Sequence, residues 1–130
     1  MNPYEKLCRR FERLGRLGEA MSILYWDMAA MMPEGGAASR GEQLAVLQGI
    51  YHEMLTDEAN EELFAAAEEV ELEGEWERAN LREMRRAWLH ATCVPAELVE
   101  EKSRRGSECE VVWRSARRDN DFARVEPDRL

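Results

Sequence analysis

The feature that most constrains the fold is a long apolar stripe near the N-terminus. Apolar residues recur there at alternating spacings of three and four, which places them on one face of an α-helix about seven turns long. Asn2 is expected to cap this helix, with Pro3 at its first position, where a missing N–H has no cost. The stripe comprises Tyr4, Leu7, Phe11, Leu14, Gly18, Met21, Tyr25 and Met28. Other helices must cover it, and Gly18 is expected to let one of them approach closely.

Four further helices are predicted after the first. The sequence Met32-Pro33-Glu34-Gly35-Gly36 interrupts the apolar pattern and ends the first helix. The later helices are predicted at residues 37–55, at DEANEELFAAAEEV with Thr56 as its N-cap, at residues 75–92, and from Pro95 onward. No segment alternates with period two over a useful length. We therefore expect an all-α fold of about five helices in antiparallel hairpins.

The length of the chain and its last residues indicate whether it is a complete domain or a fragment. A chain of 130 residues forms one domain or less. Glu126-Pro127-Asp128 resembles the opening of another helix, yet the sequence ends soon afterwards. We therefore expect residues 1–130 to be a single helical domain or a truncated fragment.

Composition excludes several classes of protein. No run approaches 18 apolar residues, and the N-terminal segment is charged throughout, unlike a signal peptide. These features predict a cytoplasmic protein without a membrane partner. The three cysteines lack CxxC spacing and are typical of reduced thiols.

The net charge of −9 is unevenly distributed. Residues 41–77 contain twelve acidic side chains and no Lys or Arg, whereas residues 78–130 contain twelve basic and ten acidic side chains. An acidic central segment repels phosphate backbones, so we expect no nucleic-acid partner. The acidic run is interpreted as a solvated helix face, with a docking surface for a basic partner as the alternative.

No catalytic or metal-binding constellation is found in the sequence. His52-Glu53 begins an HExxH motif, but Thr56 occupies the position of the second histidine. His90 is interpreted as a hydrogen-bonded structural histidine. There is no GxSxG turn and no phosphate loop. Gly35-Gly36 before a helix N-terminus is only a weak signal for anion binding. We therefore assign no catalytic residue and no metal ligand to this chain.

A block of the sequence around the first helix break resembles the start of the carboxypeptidase Taq family of zinc metallocarboxypeptidases. The likeness continues in order along nearly the whole chain, from His52-Glu53 to Asn120-Asp121-Phe122. The block itself consists of Ile23-Leu24, Trp26-Asp27, Met32-Pro33, Gly35-Gly36, Arg40, Glu42-Gln43-Leu44-Ala45 and Leu47.

The resemblance implies a role without chemistry for this chain. Family members are much longer, almost wholly helical, and remove C-terminal residues from peptides. Their zinc ligands and catalytic glutamate come from an HExxH motif and a later glutamate, and no residue here matches them. The chain then corresponds to an N-terminal groove wall or lid, truncated before the catalytic region and inactive alone. Zinc or another divalent metal, and a peptide substrate, are expected only in a full-length enzyme. The alternative is a free-standing helical interaction module without peptidase activity.

Seven residues at the helix break are candidates for a structural corner or an interface. Asp27 is expected either to accept hydrogen bonds from backbone N–H groups beyond the break or to pair with Arg40. A corner packed on a missing body is one interpretation, and an apolar hairpin corner within this domain is the other. The candidates are Trp26, Asp27, Met32, Pro33, Gly35, Gly36 and Arg40.

The apolar content also predicts self-association. The long stripe, four tryptophans and seven methionines exceed what five short helices readily bury. We expect a two-fold homodimer that pairs the first helix and the Trp26 corner, with the acidic face of residues 53–77 left in solvent.

Overall fold

The structure is a computed structural model, and it describes residues 1–126. These residues form five α-helices and two 3₁₀ turns, with no β-strand among them. The helices are α1 (Pro3–Ala30), α2 (Ala37–Thr56), α3 (Glu58–Glu68), α4 (Glu75–Thr92) and α5 (Ala96–Arg118). The 3₁₀ turns are Glu34–Gly36 and Phe122–Arg124. The predicted all-α fold of five helices is confirmed, whereas Pro127 and Asp128 of the suggested helix opening lie outside the described residues.

Helix α1 begins and packs as its sequence predicts. The N–H of Glu5 donates to Asn2 Oδ1 and the N–H of Asn2 donates to Glu5 Oε2, both at 2.9 Å, which forms a capping box. Pro3 is its first residue. Every seventh residue of the stripe is buried, namely Leu7, Leu14, Met21 and Met28. A repeat of seven places these side chains along one narrow face of the helix, with a drift of only about 20° per repeat.

One part of the core lies where α3 and α4 cover the N-terminal half of α1. Leu7, Phe64, Ala67 and Met84 are buried together there. The Phe64 ring packs edge-on against Phe11, with centroids 6.1 Å apart, and lies 5.3 Å from the Trp88 ring. Aromatic pairs in these arrangements add about 0.5–1.5 kcal/mol beyond their burial. This cluster joins α1 to two consecutive helices that come much later in the sequence.

Helices α2 and α5 form the most extensive helix pair and run antiparallel. Their close contact depends on glycines in α2. A Cβ added at Gly41 would lie 3.3 Å from Ser107 Cβ, and one added at Gly49 would lie 3.1 Å from Glu100 Cγ. At Gly18 the nearest atom is a Tyr51 ring carbon at 3.9 Å, an ordinary contact. The close helix approach predicted at Gly18 is therefore not found there. Close approaches occur instead at Gly41 and Gly49.

The junction between α2 and α3 corrects the predicted cap. Asp57, not Thr56, is the N-cap of α3, because its Oδ1 accepts the N–H of Ala59 at 2.9 Å. Thr56 belongs to α2, and its hydroxyl donates to the carbonyl of His52 at 2.8 Å. Asp and Thr are both good caps, and the backbone hydrogen bonds of α2 decide between them by continuing through Thr56.

A buried asparagine completes this junction. Asn60 is fully buried, and its amide nitrogen donates to the carbonyls of Met54 and Leu55 at 3.1 and 2.8 Å. Its Oδ1 accepts from Arg10 of α1 at 2.9 Å. Asn60 therefore satisfies carbonyls at the end of α2 and ties α3 to α1, as a buried polar group must find partners.

Candidate functional site

The turn between α1 and α2 is held first by its own backbone. The N–H groups of Met31 and Met32 both donate to the carbonyl of Asp27, at 2.9 and 2.8 Å. After Pro33, the N–H of Gly36 donates to the Pro33 carbonyl at 2.9 Å, which closes the 3₁₀ turn. Proline cannot continue a helix, so α1 ends here and the chain reverses.

Arg40 fixes this turn from the side of α2. Its Nη1 donates to Asp27 Oδ2 at 2.8 Å and to the carbonyl of Leu24 at 3.0 Å. Its Nε donates to Gln43 Oε1 at 3.1 Å. Only 17% of the Arg40 side chain and 35% of the Asp27 side chain are exposed. Of the two roles considered for Asp27, its carboxylate takes the pair with Arg40, while its backbone carbonyl accepts the N–H groups beyond the break.

A third element, α5, holds the same corner through Arg114. Its guanidinium donates to the carbonyl of Met28 and, through Nη2, to Glu110 Oε1 at 2.6 Å. Met28 itself is buried. Sequence reasoning assigned no structural role to Arg114, because no local spacing links it to a residue 86 positions earlier. We call Asp27, Arg40, Arg114 and the turn between them the corner.

The remaining candidates divide between the inside and the outside of the corner. Met32 is half-buried and lies against Gly36, where an added Cβ would be 3.5 Å from Met32 Cγ. Pro33 and Gly35 are exposed. Trp26 is 62% exposed, and two apolar residues near it in the sequence, Ile23 and Met31, are also exposed. The structure therefore brings Asp27, Arg40, Met32 and Gly36 together and leaves Trp26 on the outer surface.

A groove of about 710 Å³ lies between the end of α1, α2, the end of α4 and α5. Its wall is largely apolar, from Tyr25, Val94 and Leu98, with His52 and Glu110 among its polar groups. His52 is buried, which follows from its position on the face of α2 that packs on α5. Within residues 1–126, no three His, Cys, Asp or Glu side chains gather closely enough to hold a metal ion.

His90 differs from its interpretation as a structural histidine. It is exposed on α4, and no hydrogen bond joins its ring to another of the described residues. His90 lies in the last turn of α4, where a positive charge interacts favourably with the helix dipole.

The acidic segment 41–77 is partly neutralised by arginines from other helices. Arg104 of α5 binds Glu42 at 2.7 Å, Arg10 of α1 binds Asp57 at 3.3 Å, and Arg85 of α4 binds Glu68. The N–H of Ala59 and then Arg10 hold the pKa of the Asp57 carboxyl below its usual value of 3.8. Some of the acidic residues therefore fasten α2 and α3 to the other helices, in addition to being solvated.

Comparison with known proteins places this helical arrangement among metallopeptidases. The carboxypeptidase Taq (M32) metallopeptidase family matches residues 6–129. Thermostable carboxypeptidase 1 of Pyrococcus furiosus is 28% identical over 123 residues, which are 95% of this chain and 25% of that protein. Thermostable carboxypeptidase 1 of Thermus thermophilus is 28% identical over 122 residues, 92% of this chain and 24% of that protein.

Solved structures show the same likeness. Trypanosoma cruzi metallocarboxypeptidase 1 superimposes with a TM-score of 0.72 at 38% identity, over 97% of this chain and 25% of that chain. A Pyrococcus furiosus carboxypeptidase structure superimposes with a TM-score of 0.74 at 27% identity, over 98% of this chain and 26% of that chain. The fold is thus that of an all-helical part of a metallocarboxypeptidase.

The chain belongs to the carboxypeptidase Taq (M32) metallopeptidase family. It spans about a quarter of the length of the relatives it matches. Among the described residues, none of the helices is long and apolar enough to cross a bilayer.

Proposed function

We propose that the chain forms the N-terminal helical wall or lid of the substrate groove in a carboxypeptidase-Taq-type enzyme, which removes C-terminal residues from peptides. One observation supports this most: the family match covers residues 6–129 but only about a quarter of each relative. A wall that retains its fold without the remainder of the enzyme orients a peptide and excludes water, but performs no hydrolysis alone.

The corner supplies the rigidity that such a wall needs. Asp27, Arg40 and Arg114 connect α1, α2 and α5 through hydrogen bonds to side chains and to backbone carbonyls. Charge-assisted hydrogen bonds of this kind are stronger than neutral ones and fix geometry. The exposed Ile23, Trp26 and Met31 then form an outer apolar surface, which packs on the rest of the enzyme.

The complete enzyme is proposed to use zinc or another divalent metal ion, held by residues that this chain does not contain. Zinc in hydrolases lowers the pKa of a bound water and polarises the carbonyl that is attacked. Residues 1–126 do not fit that ion, because they lack a cluster of three suitable ligands. No step of the hydrolysis is therefore assigned to a residue here. We further propose a cytoplasmic location, and a homodimeric state for the isolated chain, whose outer apolar surface is then uncovered.

A chimera tests the proposal. The chain replaces the matched N-terminal quarter of the Pyrococcus furiosus thermostable carboxypeptidase 1. We expect the chimera to release C-terminal amino acids from a peptide, and the isolated chain and the truncated relative to release none. Removing metal with a chelator should abolish the activity, and added zinc should restore it. Trp26→Ser should weaken the activity more than Trp76→Ser, a matched change at a residue that is 87% exposed.

The outcomes separate the two hypotheses when folding is checked by circular dichroism. Activity of the isolated chain would contradict a wall without chemistry. A folded chimera that stays inactive would contradict the groove-wall role and would favour the free-standing interaction module.

A further inference from the structure

A second groove, of about 580 Å³, lies between α4 and the end of α3 with the segment that follows it. This volume is in the range of about 300–1,000 Å³ that is usual for ligand-binding clefts. We call it the arginine groove. Its rim carries Arg78, Arg82, Arg85 and Arg86, and its apolar lining includes Val70, Leu72, Leu81 and Leu89.

Two of the arginines build the groove. Arg78 Nη1 donates to the carbonyls of Leu72 and Glu73, at 2.8 and 2.9 Å, which fixes the segment between α3 and α4. Arg85 pairs with Glu68 at the end of α3. These contacts tie α4 to the end of α3 and to the segment that follows it, so the groove between them is formed before any ligand arrives.

The side chains of the other two arginines, Arg82 and Arg86, are exposed to solvent. Arg82 and Arg86 have side chains that are 73% and 69% exposed, and both contact the same carboxylate, Glu83, at 3.5 and 3.3 Å. They are four residues apart on one helix, so they lie about 6 Å apart along its axis. Two cations sharing one exposed anion leave net positive charge at the rim of this groove.

The charge of this groove is opposite to that of the molecule. The whole chain carries −9, yet the groove is lined by four arginines and one carboxylate, Glu68. Leu89 is 45% exposed beside them. A single exposed leucine is ordinary, but one set in a groove beside paired arginines offers an apolar contact flanked by two anion-binding groups.

We propose that the arginine groove binds an acidic segment of a partner protein, in which an apolar side chain lies next to two carboxylates about 6 Å apart. Carboxylates four residues apart on a helix have this spacing. Each would meet Arg82 or Arg86, whose planar guanidinium suits a carboxylate, and the apolar side chain would contact Leu89. A long polyanion such as nucleic acid is disfavoured, because it would extend beyond the groove along the acidic segment 41–77, whereas a short peptide segment can be confined to the groove. This binding is independent of the proposed groove-wall function.

Peptide binding to the full chain tests this inference. The probe is a fluorescent, capped peptide of three Glu-Ala-Ala-Leu repeats, compared with a peptide in which Gln replaces each Glu. We expect the acidic peptide to bind, and the Gln peptide to bind about tenfold more weakly, because it loses both of the exposed ion pairs with Arg82 and Arg86. The double substitution Arg82→Glu with Arg86→Glu should weaken binding of the acidic peptide by about tenfold or more.

Matched variants separate the groove from general charge. Arg9→Glu with Arg13→Glu changes another exposed pair spaced by four, on α1, and should change binding by less than about twofold. Leu89→Gln should weaken binding several-fold, whereas Leu98→Gln, at a position 56% exposed on α5, should not. Circular dichroism checks that each variant is folded.

Three results would overturn the inference. The first is no binding by the unmodified chain. The second is an equal loss in the two double variants, which would indicate diffuse charge rather than a site. The third is tighter binding of a short DNA duplex or of phosphatidylglycerol vesicles than of the acidic peptide, which would identify a polyanion surface instead.

Discussion

At the scale of residues, the corner depends on one ion pair that is mostly removed from water. Arg40 has 17% of its side chain exposed and shares its Nη1 between Asp27 and the carbonyl of Leu24. The main effect of such a pair on stability appears when one partner is removed, because the remaining charge is then poorly solvated and unpaired. The pair therefore matters more than an exposed ion pair such as Arg16–Glu19.

Asp27→Ala is predicted to destabilise the fold by about 1–2 kcal/mol, because Arg40 then keeps only its bonds to Leu24 and Gln43. Denaturation midpoints measure the loss. Glu34→Ala, at an exposed carboxylate in the same turn, is the control and should stay within about 0.5 kcal/mol. An Asp27→Ala change no larger than the control would show that the corner does not depend on the pair.

The cap of α3 predicts a dependence on acid. Because the folded state lowers the pKa of Asp57, its stabilisation is present above the usual 3.8 and is lost as the pH falls through the lower folded value. Asp57→Asn keeps a good cap but cannot titrate. The stability difference between wild type and this variant should shrink as the pH is lowered from about 5 to about 2.

Two measurements check the role of Asp57. Urea midpoints at several pH values follow the difference in stability, and carbon NMR of the Asp57 carboxyl gives its pKa directly. A pKa at or above 3.8, or a difference that grows on acidification, would contradict the prediction.

At the scale of elements, the α2–α5 contact is decided by small residues. Gly41, Ala45 and Gly49 are buried on the face of α2 toward α5, and Ser107 is buried opposite. Glycine lowers the intrinsic stability of a helix interior, by about 0.5–1 kcal/mol relative to alanine. This cost is offset here because the helices pack closely and extend their contact along most of α2.

Two glycine substitutions separate propensity from packing. Gly106→Ala in α5 meets no atom within 4 Å and should stabilise the fold by about 0.5–1 kcal/mol. Gly49→Ala would bring its Cβ into a clash with Glu100 Oε1, so Glu100 must move and the gain should be lost. Thermal denaturation of both variants compares them. An equal gain at both positions would show that α2 and α5 are not packed this closely.

At the scale of the whole molecule, the described part of the chain leaves much apolar surface uncovered. Ile23, Trp26 and Met31 are each more than 60% exposed at the end of α1. In the relatives, about three quarters of the protein lies beyond the region that this chain matches. A surface of this kind is uncommon on a monomer and tends to find a partner.

Self-association through this surface is the fourth prediction. Sedimentation over a range of concentrations should show a dimer, since pairing one patch with its copy closes the assembly. Trp26→Glu should shift the equilibrium toward monomer, because it buries a charge at the centre of the contact. Trp76→Glu, at the residue 87% exposed on α4, is the control and should leave the dimer intact. A monomer at every concentration would contradict the prediction.

The sequence alone determined the helices, because their signals are local. The capping box of Asn2 and Glu5, the seven-residue repeat of α1 and the break at Pro33 each involve residues within a few turns. The bounds of α4, at residues 75–92, were predicted for the same reason. The prediction of the α3 cap was wrong by one residue, because two adjacent good caps compete and only the continuation of α2 chooses between them.

Only the tertiary structure decided which faces meet. The pairing of Arg114 with the Met28 carbonyl and the close approach at Gly41 and Gly49 both join residues that are distant in sequence. Helical periodicity gives a face for each helix but no partner, because many antiparallel arrangements bury a similar apolar area. The choice among them depends on side-chain shape and on charges brought together by folding, such as Asp27 with Arg40.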